Sequence, residues 1–356
     1  MPIKWENNVM GFVPQKDWLD VGLDITRPND PIDGLLGDLK TPNLVAEWES
    51  IAAEYQIPMM AQFHGWDTEA QKTFRVPVDT HNIEKGLIKV KINQSERLRA
   101  LLRNGVQGDQ QIYDYVIKDG VRLSDQVATR SKVAKNELLA TGQVTIKENN
   151  LDLTVDYGVP SAQTSITIDL DTDADIPAQI QSVIDMASGA GVVINGMLTS
   201  RKIIGKLRAN NLIQEAIYSA NGVGTLVRMS ALNDYLDEEF GIKRIVTNDL
   251  TYGASYTIGP NDRPVVVSKR YYPQDKITFF ATNPAGQLGV GLWGDPPEVD
   301  VARLMEVSQG DAPYVYLSQW TEHDPAVLWT KASALFMPVL YNPNSLFIAT
   351  EDSDGA

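Results

Sequence analysis

The chain contains no cysteine. This absence excludes disulfide bonds, thiolate metal sites and cysteine nucleophiles, so structural reinforcement has to come from packing or from partner subunits. Histidine is scarce as well: the three residues His64, His81 and His323 do not lie within metal-ligand spacing of one another. We therefore predict neither a metal site nor a cofactor.

Long apolar runs are also missing. The sequence has no run of apolar residues long enough to span a bilayer. Its first residues, MPIKWENNVMGFVPQKDW, lack the apolar region and the small-residue cleavage site of a secretory signal. We expect a protein that is made and kept in a cytosol and does not associate with a membrane.

The sequence lacks the short motifs of common enzyme classes. The glycine clusters at 221–224 and 289–291 do not complete a dinucleotide-binding motif, and no G-x-S-x-G elbow is present. The segment DLDTDAD at 169–175 resembles a calcium loop, but Ala174 stands where glycine is required and Ile180 where a bidentate glutamate belongs. Together these absences favour a structural protein without catalytic residues over an enzyme.

Charge is unevenly distributed along the chain. The formal net charge of −15 argues against a free-standing nucleic-acid-binding protein, because such binding needs clustered cations. Residues 84–135 contain eleven Lys and Arg against six Asp and Glu, so this segment is basic and the remainder is strongly acidic. The basic segment is either a self-complementary contact with another copy or an ordinary solvated helix face.

The composition, 43% hydrophobic and 22% charged over 356 residues, is that of a globular protein with one large domain or two. Residues 1–40 are rich in Pro, Asp and Gly and show no sustained period. We expect them to form an extended arm with little core of its own.

A helix is predicted directly after this arm. Thr41 is a candidate cap, and Pro42 suits the first turn. The helix would end before Pro58 and carry one apolar stripe, formed by Leu44, Trp48, Ile51 and Tyr55.

From residue 59 to residue 92 the pattern changes to strands. The strand candidates are KTFRVPV and GLIKVKIN, in which apolar and polar residues alternate, and VDTHNIEKG between them is a polar connection. One interpretation is a long two-stranded excursion that lies on another surface, because an isolated ribbon is marginal in water. A hairpin on the edge of an ordinary sheet fits the pattern equally.

Residues 108–140 carry the strongest helical pattern in the chain. Gly120 is a natural place for a bend, and Thr141-Gly142 suits the end of the helix. The apolar residues recur with an eleven-residue period that keeps them on one narrow stripe, and they are Ile112, Val116, Leu123, Val127, Ala134 and Leu138.

The next segment, GQVTIKENNLDLTVDYG, predicts a regular hairpin. A type I′ turn at Asn149-Asn150 pairs Val144 with Val155 and Lys147 with Asp152. One face is then apolar and the other polar, which fixes the register. We expect the apolar face to pack on the preceding helix.

Beyond Pro160 the pattern predicts a second α+β lobe. Asp175 and Pro177 open a helix followed by Gly189, and 192–194 is a predicted strand. Thr199 and Ser230 are candidate caps of further helices. The remaining strand candidates are IKRIV, PVVVSKR and KITFFAT, whereas GQLGVGLWGDPP is predicted to be a glycine-rich loop. The final segment returns to long strands, broken by Pro338 and Pro343.

This order of elements resembles the Hong Kong 97 capsid fold, an α+β fold, and in detail the lambda-like major capsid proteins of tailed bacteriophages. The resemblance covers nearly the whole chain and rests on four segments in order: ELLATGQVTIKENNLDLTVDYG, MASGAGVVINGMLTSRKIIGKL, PQDKITFFATNPAGQLGVGLWGD and HDPAVLWTKASALFMPVLYNPNSLFIATED. It implies an N-terminal arm at 1–55, an extended β-hairpin loop at 56–95, a peripheral domain with a long spine helix at 96–160 and 320–356, and an axial domain at 161–319.

The same resemblance implies a major capsid protein. Hexamers and pentamers would form an icosahedral head that encloses double-stranded DNA without sequence-specific binding, through a procapsid that expands on maturation. The implied partners are further copies of the chain, a separate scaffolding protein, a portal and a decoration protein. The shell would be assembled in the host bacterial cytoplasm and would remain in the virion.

In such a shell we expect the arm, the tip of the excursion and its lysines to contact neighbouring subunits. The residues predicted for this interface are Trp5, Trp18, Phe74, Val76, Pro77, Lys85, Lys89 and Lys91. The three lysines would meet an acidic surface of the neighbour.

Two other functions stay open at this point. An encapsulin-type compartment shares the fold but encloses enzymes, and the fold does not decide the cargo. A soluble carbohydrate-active or hydrolytic enzyme with an unfamiliar site is the second alternative, and it would behave as a small oligomer that forms no particles.

Overall fold

The structure is a computed structural model that describes residues 30–50, 79–94, 108–219, 224–258, 264–297, 305–309, 312–324 and 326–352, with the single positions 60, 75 and 96. In chain order the strands are β1 (Leu36–Lys40), β2 (Val45–Ser50), β3 (Asp79–Glu84), β4 (Gly86–Gln94), β5 (Gln143–Glu148), β6 (Leu151–Asp156), β7 (Ile166–Ile168), β8 (Gly196–Thr199), β9 (Arg244–Thr247), β10 (Thr251–Ile258), β11 (Pro264–Arg270), β12 (Lys276–Phe280), β13 (Gly289–Gly294), β14 (Met305–Gln309), β15 (Ala312–His323), β16 (Ala326–Leu340) and β17 (Leu346–Glu351). The helices are α1 (Gly108–Thr141), α2 (Ser161–Thr164), α3 (Ile176–Gly189), α4 (Arg201–Ala209), α5 (Asn211–Tyr218) and α6 (Met229–Phe240).

Helix α1 confirms the predicted helix and, from Leu123 onward, the predicted apolar stripe, whereas the side chains of Ile112 and Val116 lie outside those described. It runs from Gly108 to Thr141, and Leu123, Val127 and Leu138 on the predicted stripe are buried in the larger hydrophobic core. The helix ends as predicted, because Gly142 adopts a left-handed φ of 72° and its N–H donates to the carbonyl of Leu138 at 2.8 Å.

The hairpin β5–β6 follows in the predicted register. Asn149 and Asn150 have φ values of 49° and 66°, as a type I′ turn requires, and Val144 lies opposite Val155. Both valines are buried in the core that contains α1, whereas Leu153 towards the turn is largely exposed. The apolar face therefore packs on the body of the chain through both valines and Ile146, and only its Leu153 side is open near the turn.

A six-stranded sheet lies against α1. Its strand order is β1-β13-β16-β15-β14, and β4 pairs with β16 along Gly86–Gln94. The predicted alternation in β4 is confirmed, since Ile88, Val90 and Ile92 pack against the core. Residues 86–94 therefore belong to an ordinary sheet, as the second interpretation has it, but their partner is β16 and not a hairpin strand. The other candidate strand, KTFRVPV, lies outside the described residues except for Arg75.

The predicted glycine-rich loop at GQLGVGLWGDPP is wrong for residues 289–294. These residues form β13, which lies between β1 and β16 inside the sheet. Glycine is used here for close packing. A Cβ on Gly289 would overlap the backbone oxygen of Val339 on β16, and a Cβ on Gly291 would lie 2.9 Å from Cε of Lys135 on α1.

The coreless arm is wrong for residues 30–40. Ile32, Leu35 and Leu36 are completely buried in the larger core, and β1 pairs in parallel with β13. The reason is a compact turn at 31–35 that brings these apolar residues onto one side despite the surrounding Pro, Asp and Gly. Residues 1–29 lie outside the described residues.

Buried polar groups fasten this segment to α1. The carboxylate of Asp30 accepts hydrogen bonds from the amides of Asn136 at 3.1 Å and Asn248 at 3.0 Å, and burial raises its pKa. The ammonium of Lys135 lies 2.9 Å from the carboxylate of Asp38 on β1. Residues 30–40 are thus part of the folded body of the chain.

The predicted helix after Thr41 is also wrong for residues 41–50, while its remaining part, 51–57, lies outside the described residues. Residues 45–50 form β2, which pairs with β3, so the predicted polar connection VDTHNIEKG contains a strand. A period of two fits better than the helical stripe within this strand, because Ala46 and Trp48 face the core while Glu47 between them is exposed. Thr41 does not cap a helix, since its hydroxyl accepts a hydrogen bond from Lys85.

The second lobe is built around a five-stranded sheet in the order β7-β17-β12-β8-β9 and has its own hydrophobic core. The predicted helix α3 is confirmed, and Asp175 caps it by accepting from the N–H of Ala178 at 3.0 Å. Three details differ: the strand near 192–194 begins at Gly196, the cap of α4 is Ser200, and the residue before α6 is Arg228.

Pro338 does not break the C-terminal strand as predicted, because it lies within β16 opposite Gly291 of β13. The proline is tolerated because β4, on the other side of β16, stops opposite Phe336. Pro343 does fall at the predicted interruption, in a 3-10 turn before β17.

We expect Gly289→Ala to lower the free energy of unfolding by about 3 kcal/mol, because the Val339 oxygen that the new methyl meets is held in the β13–β16 pairing. The measurement is denaturant unfolding of the purified subunit. The matched control is Gly205→Ala in α4, where an added Cβ meets no described atom within 4 Å and helix propensity rises by up to about 1 kcal/mol. Equal stability of the two variants would contradict the packed position of β13.

Candidate subunit interface

The predicted interface residues fall into three groups. Five of them lie outside the described residues, so their roles remain predictions: Trp5, Trp18, Phe74, Val76 and Pro77. Lys85 is buried, with 4% of its surface exposed. Lys89 and Lys91 lie exposed on β4.

Lys85 is a structural residue of its own chain. Its ammonium donates to the carbonyl oxygens of Thr41 at 2.9 Å, Asn43 at 2.7 Å and Trp293 at 3.1 Å. A Cβ on Gly294 would lie 3.1 Å from this ammonium, so glycine leaves room for it. Burial lowers the pKa of Lys85, while the nearby carboxylate of Asp295 acts in the opposite direction.

The assignment of Lys85 to the subunit interface is therefore wrong. The sequence pattern treats it as the first of three basic residues in the excursion. In the structure it lies between β3 and β4 and holds residues 41–43 on the sheet.

Lys89 and Lys91 point to the face of the six-stranded sheet opposite α1, which we call the outer face. Strand alternation sends Ile88, Val90 and Ile92 towards α1 and therefore sends the lysines between them away from it. On β16, the residues directly opposite Lys89 and Lys91 are Ser333 and Lys331.

Two positive charges are placed directly opposite each other on the outer face. Lys91 pairs in register with Lys331, and like charges in this position are destabilising. The ammonium of Lys91 lies 4.3 Å from the centroid of the Trp329 ring, a cation–π contact that offsets part of this repulsion. The Trp329 ring in turn stacks on Trp320, with 6.1 Å between centroids.

These five residues form what we call the Lys–Trp patch: Lys89, Lys91, Lys331, Trp320 and Trp329. Exposed ammonium groups beside half-buried indoles suit an acidic protein surface, because aromatic side chains supply contact area and the cations pair with carboxylates. Lys331, Trp320 and Trp329 were not predicted as site residues. The alternation in the segment VLWTKAS would have placed Trp329 and Lys331 on one face of a strand.

Another part of the outer face is covered by the chain itself. Ala46 of β2 packs on Leu292 of β13 and Val339 of β16. Trp48 of β2 stacks on Tyr157 with 5.5 Å between ring centroids. The β2–β3 ribbon thus lies on the body of its own subunit, at the end of β16 distant from Lys331.

The described residues contain neither a metal-binding cluster nor a membrane-spanning helix. Within the ranges given above, no group of three or more His, Asp or Glu side chains could hold a metal ion. No helix in the described part of the chain is long and apolar enough to cross a membrane.

Comparison with known proteins gives a family match. Residues 88–351 match the family described as phage major capsid protein E. No curated protein matches the chain.

Solved structures share the fold. The putative capsid protein of a prophage of E. coli CFT073 is 13% identical, with a TM-score of 0.54 over 97% of this chain and 99% of that chain. A phage-related protein from Bordetella bronchiseptica RB50 is 12% identical, with a TM-score of 0.51 over 93% and 95%.

We expect Lys85→Met to lower the free energy of unfolding by about 3 kcal/mol, because the buried carbonyl oxygen of Trp293 and the part-buried ones of Thr41 and Asn43 lose their charged donor. Lys89→Met is the matched control, and its effect should stay within about 0.5 kcal/mol because Lys89 is exposed. Thermal unfolding of both variants checks the difference. Similar unfolding of the two would mean that Lys85 is not a structural residue.

Proposed function

The chain belongs to the phage major capsid protein E family, and from this premise we propose that its copies assemble as hexamers and pentamers into an icosahedral head around double-stranded DNA. The observation that carries the proposal is the extent of the family match, which begins in β4 and ends in β17 and so includes the smaller core and most of the larger one. The role is structural. The family match favours a phage head over an encapsulin-type compartment or a soluble hydrolytic enzyme.

The proposed division of the subunit follows from its two cores. The peripheral domain, 96–160 and 320–356, contains α1 and β16, and the axial domain, 161–319, contains four of the five strands of the five-stranded sheet. We propose to adjust these boundaries by sheet membership, so that β13, β14 and most of β15 join the peripheral domain and β17 joins the axial one. The arm at 1–55 and the extended loop at 56–95 lie only partly within the described residues.

Maturation and further partners belong to the same proposal. A separate scaffolding protein would guide a procapsid that later expands, and a portal and a decoration protein would complete the head. A bend at Gly120 within α1 would suit expansion. The net charge of −15 supports a shell that encloses DNA without binding it tightly. In this proposal the shell is assembled in the host cytoplasm and remains in the virion.

Expression of the chain with and without its scaffolding protein tests the assembly. We expect shells that sediment far ahead of the single subunit of 39.3 kDa and that appear as closed particles by negative-stain electron microscopy. A small soluble oligomer under all conditions would contradict the proposal.

The Lys–Trp patch gives a sharper test. We expect the double variant Lys89→Glu and Lys91→Glu to lower the yield of particles at least tenfold, because the patch would repel the acidic surface of the adjacent subunit. Lys243→Glu, a charge reversal at another exposed lysine, is the control. Unchanged particle yield for the double variant would refute the predicted pairing.

A further inference from the structure

Strands β10 and β11 form a ribbon of their own. They pair antiparallel from Thr251 opposite Arg270 to Ile258 opposite Pro264, and this two-stranded sheet is separate from the five-stranded and six-stranded sheets. Seven residues of β11 extend about 23 Å at the rise of a β-strand. The ribbon is therefore long enough to extend well away from the base, where Thr251 and Arg270 join the rest of the chain.

Both faces of this ribbon are apolar and open. Val265, Val266 and Val267 are 51%, 63% and 41% exposed. Because successive side chains of a strand point to opposite faces, the valines leave apolar surface on each side. A two-stranded ribbon is marginal in water, and an apolar ribbon with unpaired edges is an aggregation hazard unless something covers it.

The base of the ribbon is attached to α1, because the side chain of Tyr271, directly after β11, hydrogen-bonds to Thr129 of that helix. The guanidinium of Arg270 lies 3.2 Å from the carboxylate of Asp249, just before β10. The rings of Tyr252 and Tyr271 contact each other with 4.9 Å between centroids. The exposed valines are therefore held away from the body by a packed base.

We propose that the β10–β11 ribbon docks on a second copy of this chain in the shell, with its valines buried between subunits. Charge favours this occupant, because the described ribbon holds no acid and carries Lys269 in addition to Arg270, whose charge Asp249 offsets at the base, whereas the chain as a whole carries −15. Because both faces of the ribbon are exposed, its partner has to be large enough to cover both, as a neighbouring protein subunit is. The inference rests on the proposed function, since only assembly brings copies together at high local concentration.

The cysteine-free sequence allows a direct test. In the variant Ser268→Cys, at an exposed position beside the valines, the single thiol is labelled with a maleimide photocrosslinker before assembly. After illumination of purified shells we expect a covalent adduct of two chains, and unassembled subunits should give at least tenfold less. Val193→Cys, at an exposed position outside the ribbon, carries the same probe and reports the background level of crosslinking.

The outcomes separate the occupants. A two-chain adduct from residue 268 above the Val193→Cys background supports the inference. Adducts only to DNA or to another phage protein, or no adduct, overturn it. If the wild-type chain forms no shells, the proposed function itself fails, and the inference fails with it.

A second variant tests the apolar contact without a probe. Replacing Val265, Val266 and Val267 with Thr keeps the branched shape that strands favour but removes apolar surface. We expect the melting temperature of the unassembled subunit to stay within about 2 °C, while the yield of shells falls at least tenfold. Shells formed at the wild-type yield would overturn the inference.

Discussion

The backbone of β13 approaches its neighbours closely because Gly289, Gly291 and Gly294 carry no side chain. Gly289 lets the strand lie against β16, while the other two leave room for the buried ammonium groups of Lys135 and Lys85. Those ammonium groups hold β1 and residues 41–43 on the sheet through carboxylate and carbonyl oxygens. The close approach at β13 therefore determines how the N-terminal half of the subunit is attached to the C-terminal half.

This attachment makes the described N-terminal residues part of the fold of the single subunit. Residues 30–50 and 79–94 belong to the folded body, with Ile32, Leu35 and Leu36 fully buried, and do not depend on a neighbour for their packing. The surfaces that we propose for contact with other copies lie elsewhere, on the Lys–Trp patch of the outer face and on the β10–β11 ribbon. Under this proposal, assembly joins subunits in which both described cores are already formed.

Local patterns in the sequence predicted the elements that depend on local interactions. The stripe of α1, the positive φ of Asn149 and Asn150 and the cap at Asp175 all follow from neighbours within a few positions. The errors arise where partners are distant in sequence. The glycines of β13 predict a loop as long as their packing against β16 and α1 is unknown. Lys85 likewise resembles a surface charge, because nothing near it in the sequence shows that Thr41 and Trp293 surround it. Of the Lys–Trp patch, only Lys89 and Lys91 were predicted, for the same reason. Lys331 lies opposite Lys91 in the sheet but more than two hundred residues away in the sequence.

Hydrogen–deuterium exchange of the unassembled subunit tests the central claim most directly, namely that β1 is fastened to β13 before assembly. The account predicts that the amides of residues 36–40 exchange as slowly as those of β16 in the isolated subunit and change little in the shell. Fast exchange of residues 36–40 in the isolated subunit, with protection appearing only in shells, would contradict it.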